Sequence, residues 1–121
     1  MRFEFSAPTR ILFGSGAVGE VASAAKAMGE RALVVTGRDP GRAGRLVERL
    51  RSQGVSVAVF GVPGEPTVER VRAGVEQARE TACDLVIGFG GGSVLDAGKA
   101  VAALLTNGGD PLDYLEVIGK G

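Results

Sequence analysis

The sequence predicts an α/β protein with an open, mainly parallel sheet and helices on both faces. Three observations carry that prediction. Short, continuous apolar runs alternate with helical stretches along the chain. The clearest runs lack polar alternation, as strands covered on both faces require. Most runs also give way to a loop that leads into a helix, the signature of parallel strands joined by crossovers.

In chain order, residues 3–5 alternate Phe with charge, as an edge strand would, and residues 11–13 (Ile-Leu-Phe) form a second short run. Residues 17–28 carry Val18, Val21, Ala22, Ala25 and Met28 at helical spacing, with Gly29 placed to end the helix. The run 32–36 (Ala-Leu-Val-Val-Thr) reads as a buried strand. Residues 42–53 read as a helix with Leu46, Val47 and Leu50 turned inward and Gly54 as its stop. Residues 55–60 form a further buried strand, and the Gly-Val-Pro-Gly-Glu-Pro segment after it is rich in turn chemistry. Thr67 is suited to cap a helix over 67–82, with Val68, Val71, Val75 and Ala78 on its inner side. Residues 84–89 form the clearest strand, and 93–105 the last helix, broken by Asn107-Gly108-Gly109-Asp110-Pro111. The segment 107–121 reads as irregular. Such a chain is of Rossmann type, in which ligands bind beyond the carboxyl ends of the strands.

Composition narrows the chemistry. The chain has 121 residues, one domain's worth, and at 45% hydrophobic it can bury a core. Aromatics are only 5%, so the core is aliphatic, and the 20 glycines are about twice the average share of roughly 7%. Histidine is absent, so the chain supplies no His metal site, no Ser-His-Asp triad and no imidazole base. Fourteen basic residues balance 14 acidic ones, without the excess expected of a nucleic-acid binder. The single Cys83 excludes an internal disulfide and suits a reducing compartment, and no apolar run is long enough to span a membrane. A cytoplasmic protein with no nucleic-acid or membrane partner is expected.

Two glycine loops compete for a nucleotide. Gly14-Ser15-Gly16-Ala17-Val18-Gly19 matches the G-x-G-x-x-G fingerprint, and Asp39 follows Gly19 at the customary distance. Its strand is short, however, and Asp39 comes only after Gly37 and Arg38, two residues late for the tip of the 32–36 strand, so a tight strand-to-helix turn is the better explanation of these glycines. The second loop, Gly88-Phe89-Gly90-Gly91-Gly92-Ser93-Val94-Leu95-Asp96-Ala97-Gly98-Lys99, follows the clearest strand and runs straight into a helix. Consecutive glycines there admit a ligand to the backbone, and the helix N-terminus suits a pyrophosphate. Ser93 either adds a donor or caps the helix. Asp96 and Lys99 share a helix face, as ligand contacts or as an exposed ion pair. A Walker A loop is excluded, because five residues separate Gly92 from Gly98 and Ala100 follows Lys99.

Gly-Gly-Gly-Ser-Val-Leu-Asp-Ala-Gly-Lys at 90–99 resembles the GGGSxxDxxK signature of iron-containing (group III) alcohol dehydrogenases. The segments Ile-Leu-Phe-Gly-Ser-Gly at 11–16, Val-Val-Thr-Gly at 34–37, Glu-Pro-Thr at 65–67 and Asp-Tyr-Leu-Glu at 113–116 follow the order of that family's nucleotide-binding half. The resemblance covers almost the whole chain. It implies that residues 1–121 are an N-terminal dinucleotide-binding domain, with a helical metal-binding domain lying beyond them.

By that resemblance, Gly91, Gly92 and Ser93 hold the cofactor pyrophosphate, Asp96 lies toward the nicotinamide, and Lys99 completes the motif. Glu65 and Pro66 line the adenosine region. Position 37 adjoins the adenine ribose, where many NAD-using members carry Asp; here Gly37 and Arg38, with Arg42 behind, favour the 2′-phosphate of NADP(H) over NAD(H). Arg45, Arg49 and Arg51 read as a solvated helix face. The implied reaction is hydride transfer between NAD(P)H and a small alcohol or carbonyl. Its divalent metal, Fe or Zn, would lie in the further domain, and a homodimer is compatible with the resemblance. This chain alone would bind cofactor and catalyse nothing. The alternatives are a free-standing nucleotide-binding regulatory module and the N-terminal half of an enzyme like glycerol dehydrogenase or dehydroquinate synthase.

Overall fold

In the structure, a computed structural model that describes residues 9–13, 18–107 and 110–118, the apolar runs become parallel strands. The order is β1 (Thr9–Phe13), α1 (Val18–Met28), β2 (Arg31–Thr36), a 3-10 turn (Pro40–Ala43), α2 (Gly44–Ser52), β3 (Ser56–Gly61), α3 (Val68–Glu80), β4 (Leu85–Phe89), α4 (Gly92–Leu104), β5 (Thr106–Asn107), β6 (Asp110–Pro111) and β7 (Asp113–Ile118). Five strands form one sheet in the order β1-β7-β4-β2-β3, every neighbouring pair parallel. β5 and β6 make a separate two-stranded antiparallel ladder.

The expected open, mainly parallel sheet is therefore present, with a helical layer on each face. Ala32 and Val34 of β2 pack with α1 and α2, through Val21, Ala22, Ala25, Leu46 and Leu50. Leu33 and Val35 pack with α3 and α4 on the other face, through Val75, Ala78, Val94 and Val101. The partition follows from the direction of each crossover. α1 and α2 carry the chain toward β3, whereas α3 and α4 carry it back toward β1. Crossovers of one hand then lie on opposite faces.

Several boundaries and one segment differ from expectation. The single helix over 42–53 is a 3-10 turn followed by α2, because Pro40 starts the turn and the Asp39 carboxylate accepts from the Gly41 N–H at 3.1 Å. Val68 is 69% exposed, not inward-facing, since it is the first residue of α3 and sits a full turn before the buried Val75 face begins at Val71. Thr67 caps α3 as expected, accepting from the Arg70 N–H at 3.2 Å. The largest departure is at 107–121, read as irregular. Residues 113–118 form β7, between β1 and β4 in the middle of the sheet. Acids at 113 and 116 interrupt its apolar pattern, and burying Glu116 requires a cation from another element. The edge strand expected at 3–5 and the residues Gly14–Ala17 of the first glycine loop lie outside the described residues.

Candidate functional site

The site is built where the topology reverses. The helix that leaves β2 goes to one face and the helix that leaves β4 goes to the other, although the two strands are neighbours. Their carboxyl ends therefore part into a crevice, the usual ligand position in an open α/β sheet. Gly37 follows β2 and Gly90–Gly91 follow β4. Gly37 lies close to the first turn of α4 and to the end of β3. A Cβ on Gly37 would meet the Val94 side chain at 3.5 Å, and one on Gly61, at the end of β3, would meet the Gly37 carbonyl at 3.5 Å.

The glycines of the β4–α4 loop fall into two kinds. Gly90 has φ +147, a backbone region that side chains rarely adopt, so the turn itself requires glycine there. Gly91 has φ −90 and ψ −170, ordinary extended backbone, and Gly92 is the first residue of α4. A Cβ on either would have no atom of the described residues within 4 Å. Neither backbone geometry nor packing among the described residues demands glycine at these two positions. The space in front of them is open, at a helix end whose first N–H groups (Gly92, Ser93, Val94) have no carbonyl inside the helix to bond. Such an end attracts an anion by its donors and by the helix dipole together. No side chain caps α4, so Ser93 does not serve as its cap, and its partly exposed hydroxyl lies within the first turn.

The other predicted residues are distributed around this point. Arg38 is exposed directly after Gly37. Asp39 is exposed and its carboxylate accepts from the Gly41 N–H of its own turn. Glu65 is exposed and Pro66 half-buried in the β3–α3 loop, which Arg70 props by donating to the Glu65 carbonyl at 2.8 Å. Asp96 is exposed on α4. Lys99 lies elsewhere than an Asp96 pair would put it: its Nζ is 3.6 Å from the Glu116 carboxylate on β7.

Two residues of this region escaped sequence reasoning, Tyr114 and Glu116. Tyr114 is buried against α4 and donates its hydroxyl to the Leu95 carbonyl at 2.9 Å. Burial pushes the phenol pKa well up, and the Glu116 and Asp96 charges add to the shift, so the hydroxyl stays a donor. Gly88 and Gly98 make room for the ring: a Cβ on Gly88 would overlap the Tyr114 hydroxyl, and one on Gly98 would lie 2.8 Å from its Cε1. The signal available was a Tyr-x-Glu alternation two residues apart, opposite a lysine. Cys83 is half-buried beside the Thr81 hydroxyl at 3.1 Å, and burial raises its thiol pKa, as befits a packed side chain. Among the described residues no cluster of three His, Cys, Asp or Glu could hold a metal ion. No helix among them is long and apolar enough to cross a membrane.

The family profile of iron-containing alcohol dehydrogenase matches residues 8–121. The chain belongs to that family. It is 45% identical over 108 residues to the probable alcohol dehydrogenase EutG of Salmonella typhimurium, a match covering 85% of this chain and 27% of that protein. It is 31% identical over 121 residues to the NADH-dependent butanol dehydrogenase A of Clostridium acetobutylicum, covering 96% of this chain and 31% of that protein. Among solved structures, a 1,3-propanediol oxidoreductase aligns with TM-score 0.79 at 28% identity, over 98% of this chain and 36% of that one. The NADH-dependent butanol dehydrogenase A of Thermotoga maritima aligns with TM-score 0.76 at 28% identity, over 97% of this chain and 34% of that one. The chain thus spans about a third or less of the length of these family members, at their N-terminal part.

Proposed function

We propose that residues 1–121 are the dinucleotide-binding domain of a metal-dependent alcohol dehydrogenase or carbonyl reductase, and that the β4–α4 loop receives the cofactor pyrophosphate. One observation carries this reading: among the described residues, Gly91 and Gly92 face open space that neither backbone strain nor packing explains. A ligand pressed against the backbone explains it, and the N–H groups of Gly92 and Ser93 suit its charge. The Ser93 hydroxyl adds a donor, and Asp96 lies one turn on, toward the nicotinamide. Glu65 and Pro66 border the adenosine, and Gly37 with Arg38 borders its ribose.

Position 37 offers no carboxylate to bind the ribose hydroxyls or repel a 2′-phosphate, and the adjacent guanidinium attracts one. The cofactor is therefore NAD(P)H with a preference for NADP(H). In the full-length protein, hydride passes between that cofactor and a small alcohol or carbonyl. This chain contributes binding and orientation. It has no histidine and no described metal cluster, so its residues do not fit the divalent ion, which belongs in this reading to a helical domain beyond residue 121. The balanced charge and lone Cys83 accord with a cytoplasmic enzyme whose partners are dinucleotide and small substrate.

The test is a titration of the full-length protein with NADPH and NADH at low and high salt. NADPH should bind more tightly, and added salt should narrow the gap. Equal affinities at low salt would overturn the role of Arg38; binding of neither would overturn the site. The isolated 1–121 polypeptide should bind cofactor weakly and turn over no alcohol.

A further inference from the structure

We propose that β7 is a brace for the pyrophosphate loop, with Tyr114 and Glu116 as positioning residues and Lys99 acting through Glu116, away from the phosphates. This inference rests on the pyrophosphate reading of the β4–α4 loop. Three contacts from β7 converge on that loop and its helix. The Gly90 N–H donates to the Val117 carbonyl at 3.1 Å, which fixes the turn where the loop leaves β4. The Tyr114 hydroxyl donates to the Leu95 carbonyl at 2.9 Å. The Glu116 carboxylate lies 3.6 Å from Lys99 Nζ, one helical turn beyond Leu95.

These contacts are directional where packing alone would not be. Leu95 is also the residue whose N–H closes the first turn of α4 onto the Gly91 carbonyl, at 3.0 Å. Tyr114 therefore holds the residue that closes the turn carrying the open glycines. Its ring is threaded between Gly88 of β4 and Gly98 of α4, so helix and strand cannot slide past each other without expelling it. Phenylalanine would fill the same groove, so the hydroxyl contributes alignment more than volume. Glu116 is only 4% exposed, in an otherwise apolar strand centre, and a carboxylate so buried is tolerated because Lys99 reaches it. Glu116 pairs in register with Gly88, two residues before the loop, so the ion pair ties α4 to the end of the sheet that bears it. The strand beside β4 thereby sets the height and tilt of the helix end to which the phosphates bind.

The experiment uses full-length protein carrying Tyr114→Phe or Glu116→Gln, with wild type alongside. Binding of ADP-ribose, which carries the pyrophosphate without the nicotinamide, is measured by calorimetry. The cofactor KM and the kcat at saturating cofactor are measured in parallel, and denaturation midpoints are recorded. A brace predicts that each variant raises the ADP-ribose Kd and the cofactor KM by about three- to tenfold while kcat stays within about twofold. Tyr114→Trp or →Leu, which disturbs the groove itself, should lower the midpoint far more than Tyr114→Phe does. If wild type binds ADP-ribose and both isosteric variants bind it equally well, the brace is wrong and the pyrophosphate reading survives. If wild type binds neither ADP-ribose nor its 2′-phosphate, the reading of the loop fails and the brace falls with it. A loss of kcat with unchanged cofactor KM would also overturn the proposal.

Discussion

Gly88 and Gly98 on one hand, and Gly91 and Gly92 on the other, lie within one eleven-residue stretch and are glycines for opposite reasons. The first pair is packed: Tyr114 occupies the volume a side chain would need. The second pair is open, with no atom of the described residues within 4 Å of a built Cβ. The first pair serves the packing of the fold, and the second leaves the start of α4 accessible to a ligand. In the sequence the four look alike.

That contrast predicts opposite consequences for the same change. The largest effect should come from Gly88→Ala, whose methyl overlaps the Tyr114 hydroxyl. Overpacking of this kind costs about 1–3 kcal/mol, read as a lowered denaturation midpoint at unchanged slope. Pairing it with Tyr114→Phe, which removes the obstructing oxygen, should recover part of the loss. Additive losses would contradict the packing role. In the crevice, Gly37→Asp should restore a ribose-binding carboxylate and move cofactor preference toward NADH by about tenfold, about 1.4 kcal/mol, in paired titrations. Ser93→Ala should weaken NADH and NADPH alike by about 0.5–1.5 kcal/mol if its hydroxyl bonds the shared phosphates. Unequal losses would move Ser93 away from the pyrophosphate. Gly92→Ala should have the smallest effect on the fold and with reversed sign, since alanine is favoured over glycine by about 0.5–1 kcal/mol in a helix interior and by less at this first position, while it weakens the cofactor.

The legible part of this molecule was whatever repeats locally. The β2 run Ala-Leu-Val-Val-Thr and the β4 run ending at Phe89 are strands because both their faces are covered, and continuous apolarity records that. Thr67 as a cap is a matter of three residues, and it was readable. The fold class and the family followed from such local signals. β7 was not legible, because acids at 113 and 116 break its apolar run and the cation that meets the buried Glu116 is Lys99, 17 positions earlier in the chain. Val68 was misplaced because helical periodicity says which residues share a face but not where the partner surface begins. Within the site, the motif 90–99 located the loop, yet it could not separate Lys99, turned to β7, from the residues around the crevice. Side-chain direction across elements is a tertiary property, and a single sequence does not record it.

The most direct test of the open glycines is Gly91→Val in the full-length protein. Its φ of −90 and ψ of −170 suit a β-branched residue and the built Cβ meets none of the described residues, so the expected cost to the fold is the N-cap preference for glycine over valine, about 1 kcal/mol. Nicotinamide fluorescence titration should then give a cofactor Kd at least about tenfold higher than wild type, with the protein still folded and its denaturation midpoint lowered only by the lost cap preference. An unchanged Kd would show that no ligand approaches this backbone, and the pyrophosphate site would have to lie elsewhere.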